Sequence, residues 1–249
     1  LQPVHSAIGQ SFIELLQVDS TNNYATALAH AGLAQHGMVV FAHEQMKGKG
    51  QRNKQWIAQK GENITLSIII QPENLSLTQF FLLSMCFAVG VQQFLKQYAG
   101  NETKVKWPND IFWGDRKAGG ILIENIIAGT QWKFAIVGIG LNINQTKFNE
   151  ISRNAVSMKQ ICTKEFNVLS IAKEMCNVLE SYYKMLKVDP ISIVENYHQH
   201  LYKSNKWVKL KKGNRIFEAL IKGVSSTGQL ITEHGTEELF DVGEVEWVI

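Results

Sequence analysis

Two short runs gather residue types that bind anions. The first is Gly48-Lys49-Gly50-Gln51-Arg52-Asn53-Lys54-Gln55-Trp56. Glycines carry no side chain, so backbone N–H groups there can come close to a ligand. Lys49 and Arg52 add positive charge for a carboxylate or a phosphate. Trp56 ends the run with an aromatic face. The second is Lys106-Trp107-Pro108-Asn109-Asp110. Pro108 removes an N–H and fixes φ, so the chain turns there and Asn109 and Asp110 can face one ligand. Alone, this run reads equally well as a turn with a solvated lysine. Together the two runs suit a nucleotide-using enzyme better than a scaffold.

Two further segments belong with them. Asp115-Arg116-Lys117-Ala118-Gly119-Gly120-Ile121-Leu122-Ile123-Glu124 is a polar turn that enters an apolar strand. Its glycines permit close approach, and Lys117 at the strand mouth can meet a carboxylate, although a plain hairpin lysine has the same signature. Gly138-Ile139-Gly140-Leu141-Asn142-Ile143-Asn144 has G-x-G without the third glycine of a dinucleotide fingerprint, and no amphipathic helix opens behind it. It therefore reads as a strand end lining a pocket. The first run fails the same fingerprint at Asn53, and with no Gly-Lys-Ser/Thr it is not a P-loop. No Gly-x-Ser-x-Gly elbow occurs. His198 and His200 fall two apart in a helical pattern, which does not put two metal ligands on one face. Cys86, Cys162 and Cys176 are odd in number and lack a C-x-x-C pair, so neither a disulfide framework nor a zinc cage is expected. No metal site is expected.

The elements that must carry these runs mix strands with helices. The chain has 249 residues, 45% of them hydrophobic, and a net charge of +3. That length fits one large domain or a large and a small one. The mild charge gives no footing for a general nucleic-acid binder. No stretch reads as a membrane span, and Leu1-Gln2-Pro3 does not open a signal peptide. A cytoplasmic protein with reduced thiols is expected. Strands are expected over Phe12–Val18, Met38–Ala42 and Asn63–Ile70, the last broken by Gln71-Pro72-Glu73-Asn74. Four short strands follow around Val105, Ile111, Ile121–Ile127 and Trp132–Val137. Helices are expected over Tyr24–Leu33 after cap chemistry at Asp19-Ser20-Thr21-Asn22, over Leu77–Tyr98 up to Gly100, and over Val168–Leu186 and Ile191–Tyr202. Without strict βαβ alternation this is α+β. From Trp207 to Ile249 apolar and polar residues alternate, with turn signals at Lys212-Gly213-Asn214, Ser226-Thr227-Gly228 and His234-Gly235. The spacing predicts a small β-barrel or meander. The expected division is residues 1–204 as a catalytic domain and residues 205–249 as the small one.

In their order, four motifs resemble those of biotin protein ligases: Val18-Asp19-Ser20-Thr21-Asn22; Gln45 through Trp56; Lys106 through Asp110 with Arg116-Lys117 and Gly120-Ile121-Leu122; and Gly138 through Asn142. Each is weak or moderate alone, while the ordered set is specific and covers about Phe12 to Asn144. The resemblance implies a mixed-sheet catalytic domain with helices and a small terminal barrel. It implies formation of biotinyl-5′-AMP from biotin and ATP with Mg²⁺, then transfer of biotin to one lysine of a carboxyl carrier domain. It implies biotin-binding roles for Ser20, Thr21, Asn22, Gln45, Gly48, Lys49, Gly50, Gln51, Lys117, Gly138 and Gly140. It assigns the nucleotide to Arg52, Trp56, Asn109 and Asn142, and the reacting groups to Lys117, Lys106 and Asp110. A cation between carboxylate and α-phosphate meets the electrostatic need of that chemistry.

This chain departs from the family's Gly-Arg-Gly-Arg-Arg-Gly-Arg-x-Trp pattern at Lys49, Gln51 and Asn53, and Gln51 cannot make a charged contact to an acyl phosphate. Seventeen residues precede Val18, against roughly 50 for a small domain, so a DNA-binding repressor role is not expected. Membrane attachment is not expected either, and a sheet-edge homodimer is compatible with the resemblance. The runner-up is a lipoate or octanoate ligase or transferase of the same fold, whose Arg-Arg-x-x-Gly-Gly-Gly loop is not found here. A non-enzymatic binder that uses the terminal barrel would not need the spaced cationic motifs.

Overall fold

A computed structural model describes residues 7–73, 75–149 and 154–248. Leu1-Gln2-Pro3, Asn74 of the strand-breaking turn and Ile249 at the end of the tail lie outside the described residues.

Strands β1 (Phe12–Leu15), β2 (Val39–Ala42), β3 (Asn63–Ile70), β4 (Thr103–Lys106), β5 (Asp110–Trp113), β6 (Arg116–Ala128) and β7 (Gln131–Asn142) form one sheet. Its order is β1-β2-β3-β7-β6-β5-β4. Only β1 and β2 run parallel and every other pair is antiparallel, so the sheet is mixed, as α+β requires. Helices α1 (Thr21–His30), α2 (Phe80–Ala99), α3 (Met158–Cys162), α4 (Val168–Val188) and α5 (Pro190–Gln199) cover it. The tail makes β8 (Trp207–Lys212), β9 (Arg215–Val224), β10 (Leu230–His234), β11 (Thr236–Phe240) and β12 (Glu246–Val248). These build a separate antiparallel sheet in the order β11-β10-β9-β8-β12. β11 and β12 are its edges, so the expected barrel is an open sheet.

Strand alternation sorts side chains onto the two faces of the large sheet. Phe41 of β2, Ile64, Leu66 and Ile68 of β3, and Val137, Ile139 and Leu141 of β7 point into the main core under α2 and α4. Val40, Ile69 and Ile136 point the other way, into a small core with Ala25 of α1. That second face is only partly covered. Beyond α1 it presents Asn63, Thr65 and Ser67 of β3 and Gly138, Gly140 and Asn142 of β7, and the candidate site forms there.

Segment Leu77–Ala99 reaches the length and hydropathy of a bilayer span, against the expectation from sequence. Here it is a core helix: Leu83, Phe87, Val91, Phe94 and Leu95 are buried, and it packs on α4 and α5. Its first residues form a 3-10 turn, Leu77–Gln79, closed by a Ser76 capping box. Tail and main sheet share the core, because Leu210, Ile221, Leu230 and Phe240 belong to the same buried cluster as α2. The turn at Gly228 seats on the Phe81 ring, and its carbonyl accepts a 2.8 Å hydrogen bond from Trp107 Nε1.

Candidate active site

Lys117 owes its position to a bulge. β5 and β6 pair Ile111 with Gly119 and then Phe112 with Lys117, leaving Ala118 as the extra residue. A bulge of this kind reverses the alternation beyond it and re-aims a side chain. Ala118 is therefore buried in the main core, while Lys117 shares the open face with Gly120. A Cβ on Gly120 would lie 3.4 Å from Lys117 Nζ and 3.2 Å from Asp110 Oδ1. Lys117 and Asp110 are paired at 2.6 Å, with the lysine side chain 37% exposed. The result is a cation, held by a carboxylate, above a glycine.

Farther along the same face the surface turns polar. β6 and β7 place Gly120 opposite Gly140, Leu122 opposite Gly138, and Glu124 opposite Ile136. Asn22, at the start of α1, lies directly over Gly138, where any Cβ would overlap its carboxamide. Asn22 Nδ2 donates to Glu124 Oε2 at 2.7 Å, and Ser67 Oγ donates to Asn22 Oδ1 at 2.6 Å. Gln45 Oε1 accepts from Thr21 N at 2.7 Å and from Thr21 Oγ1 at 3.0 Å. Ser20, Thr21, Asn22 and Ser67 are buried. Ser20 is the extended residue before α1, yet its side chain makes no cap bond among the described residues. The helix starts at Thr21, three residues before the expected Tyr24, so Thr21 and Asn22 ride on its first turn.

The glycine loop folds over this strip as a tight hairpin. Gly48 and Trp56 are joined by a 2.9 Å backbone bond from Trp56 N, and Gly50 N donates to Lys54 O at 2.7 Å. Lys49 leans back to Glu124 Oε1 at 3.1 Å. The Trp56 indole rests on Gly140, where a Cβ would overlap the ring, and its buried Nε1 has no partner among the described residues. Five of the expected biotin-side residues with side chains or close approaches, Thr21, Asn22, Gln45, Lys49 and Lys117, thus border one strip floored by Gly138 and Gly140.

Of the remaining expected residues, Gln51, Asn109 and Arg52 turn away from the strip, whereas Asn142 and Lys106 stay beside Lys117 and Asp110. Gln51 and Asn109 line a separate cavity of about 420 Å³ with Phe80, Phe81, Thr227 and Val242. Asn109 Nδ2 is spent on the Ile121 carbonyl. Arg52 has a left-handed φ of 54° and donates to Gly243 O in the tail at 3.1 Å. Asn142 is buried, and its Nδ2 reaches Lys117 O at 3.4 Å and Val156 O at 3.2 Å. It thereby pins the segment at Ala155, which bridges Lys117, across the end of β6. Lys106 Nζ lies 4.9 Å from the Phe112 ring centre and 5.4 Å from that of Trp247 in β12. Burial, together with Lys117 and Lys54 and against the pull of Asp110, lowers its pKa to about 8. Among the described residues no group of three or more His, Cys, Asp or Glu side chains forms a metal cage.

Three participants were not singled out from the sequence. In the sequence Glu124 is only the end of an apolar strand. Ser67 sits in Asn63–Ile70, where Asn63, Thr65 and Ser67 at alternate positions already signal a polar face in an apolar run. Trp247, which covers Lys106, is 141 residues away in the chain, and no local pattern could have linked them.

The profile of the Biotin/lipoate A/B protein ligase family matches residues 15–142. A bifunctional ligase/repressor BirA of Bacillus spizizenii is 31% identical over 180 residues, which is 71% of this chain and 55% of that protein. The chain thus spans about half the length of that relative. A biotin--[acetyl-CoA-carboxylase] ligase of Paracoccus denitrificans is 33% identical over 131 residues, 52% of this chain and 53% of that protein. Among solved structures, a biotin protein ligase from Aquifex aeolicus in complex with biotin and ATP superposes with a TM-score of 0.78. It is 22% identical, with 95% of this chain and 98% of that one covered, a likeness that speaks for the fold.

Proposed function

The chain belongs to the biotin/lipoate A/B protein ligase family, and we propose that it is an ATP-dependent biotin ligase acting on a carboxyl carrier protein. One observation carries the reading: a glycine-floored strip runs from the buried Thr21, Asn22 and Ser67, joined by the half-buried Gln45, to the Lys117 ammonium. From Gly120 to Glu124 the strand advances about 13 Å. That layout suits a molecule with a polar ring at one end and a carboxylate at the other. A ureido ring offers N–H donors and a carbonyl acceptor that the polar cluster can satisfy, as burial demands. A dithiolane offers none, which favours biotin over lipoate.

In the first step a biotin carboxylate oxygen bonds to the α-phosphorus of ATP, and the bond to the β-phosphate oxygen breaks to release pyrophosphate. Two anions must approach, and Lys117 supplies the charge that holds them together. Magnesium enters with the nucleotide as part of that substrate. Lys106 lies on the same side, beside Asp110, and meets the departing pyrophosphate. In the second step the neutral amine of a carrier lysine bonds to the acyl carbon, the bond to AMP breaks so that AMP leaves, and the amine gives up a proton to water. Asp110, already paired with Lys117, orients that amine. The Trp56 hairpin keeps water from the acyl phosphate in between, and Arg52 leaves Gly243 for phosphate oxygens.

Pyrophosphate release with biotin against lipoate, followed by mass spectrometry of a carrier domain, tests this. The expected result is release with biotin and one added biotinyl group. Release with lipoate alone overturns it.

A further inference from the structure

We infer that Glu124 is a positioning residue that sets the direction of hydrogen bonding throughout the polar end of the strip; the inference rests on the biotin reading of that site. An ionised carboxylate can only accept. Glu124 Oε2 therefore turns the Asn22 carboxamide so that Nδ2 faces it at 2.7 Å. Asn22 Oδ1 must then face Ser67, which donates to it at 2.6 Å. A hydroxyl has one proton, so Ser67 has none left for Thr21 Oγ1, 2.8 Å away. Thr21 likewise has one hydroxyl proton to share between Ser67 and Gln45 Oε1, the latter 3.0 Å away. Two close oxygen–oxygen contacts are thus left with one proton between them. One oxygen stays an open acceptor, which a ring N–H of the ligand fills. Gln45 Oε1 is held by Thr21 N at 2.7 Å, so its amide N–H groups face away, toward Gly48.

The second carboxylate oxygen accepts from Lys49 at 3.1 Å, and this makes an isosteric test possible. In Glu124→Gln the new carboxamide best turns its oxygen to the Lys49 ammonium and its NH₂ to Asn22. Asn22 must then flip, donate to Ser67, and pass the reversal on through Ser67 to Thr21. The chain then supplies its own protons and leaves no open acceptor. Shape and volume are unchanged.

The experiment is a cycle of two proteins against three ligands: wild type and Glu124→Gln, each titrated calorimetrically with biotin and with its two N-methyl isomers. The steric cost of the methyl group is common to both proteins and cancels in the cycle. For one isomer, methylation should cost the wild type roughly tenfold more affinity than it costs Glu124→Gln, the size of one buried hydrogen bond. Biotin itself should bind Glu124→Gln more weakly, and the loss should fall on biotin affinity more than on the adenylation rate at saturating biotin. Glu124→Ala, which frees Asn22 to turn either way, should shrink the same coupling and serves if the glutamine variant is poorly folded. Equal methylation penalties in wild type and variants overturn the proposal. Failure of the wild type to bind biotin at all would instead overturn the functional reading.

Discussion

Replacing Lys106 with methionine should change how stability depends on pH, by an amount the geometry sets. The ammonium lies between the Phe112 and Trp247 rings, and its pKa falls from 10.5 to about 8, chiefly through burial. A drop of this size corresponds to about 3 kcal/mol at 1.36 kcal/mol per unit. The half-buried side chain keeps some contact with water, so this is an upper figure. Below pH 8 the folded protein carries the buried charge and the full cost is present. Between pH 8 and 10.5 the unfolded chain binds more protons than the folded one, so stability rises with pH in that window. Urea unfolding at half-unit steps from pH 7 to 10.5 gives the two curves. The difference, wild type minus Lys106→Met, should climb by about 1–3 kcal/mol across the window. Trp247→Ala should let water reach the ammonium, cutting this rise and moving the alkaline limb of pyrophosphate release above pH 8. Parallel stability curves for wild type and Lys106→Met would refute the reasoning, since they would mean that burial against the two rings costs the charge nothing.

Lys117→Ala should lower biotinyl-AMP formation by ~10²–10³ while leaving the fold intact, because a preorganised charge is lost where two anions meet; single-turnover adenylation measures it. Gly140→Ala places a methyl where the Trp56 ring rests, so the hairpin should lift. The expected sign is a red-shifted tryptophan emission and weaker biotin binding, and unchanged emission would contradict it. Removing residues 207–249 strips the cover from Phe81, Trp107 and Tyr202, which contact Gly228 and Trp247. Since the tail shares the main core, melting by calorimetry should fall by roughly 10–20 °C at 2–4 °C per kcal/mol, and an unchanged Tm would show that the large sheet is self-sufficient.

How much was legible depended on whether the deciding partner was local. Asn63–Ile70 came out of the sequence at both ends, because Gly61 and Pro72 bracket an apolar run. The helix expected over Ile191–Tyr202 begins one residue earlier, because Pro190 is a good first-turn residue, and α5 ends at Gln199. The one-turn helix Met158–Cys162, capped by Ser157, was too short to show a period. The G-x-G at Gly138 and Gly140 reads as a strand end, yet β7 runs through it to Asn142. Glycine in a strand weakens it locally. Here it persists because Asn22 and Trp56, from two other elements, lie where side chains would stand. The composition of the strip was readable, but the reason for each glycine was not.

Lys117 shows why the same residues do not dictate their own geometry. Without the extra residue at Ala118, period-two alternation would put Lys117 on the face of Gly119 and Ile121, pointing into the core beneath α2. An ammonium there would have no carboxylate partner, and its burial would cost several kcal/mol or force it to lose its proton. With the bulge, Ala118 fills that core position at 1% exposure, and Lys117 meets Asp110 at 2.6 Å on the open face. The run Arg116-Lys117-Ala118-Gly119-Gly120 is compatible with either register when read alone. What selects the bulged register is the match of alanine to the core and of lysine to Asp110, and both partners lie on neighbouring elements. The cation that the proposed chemistry needs is therefore placed by packing on the opposite face of the sheet.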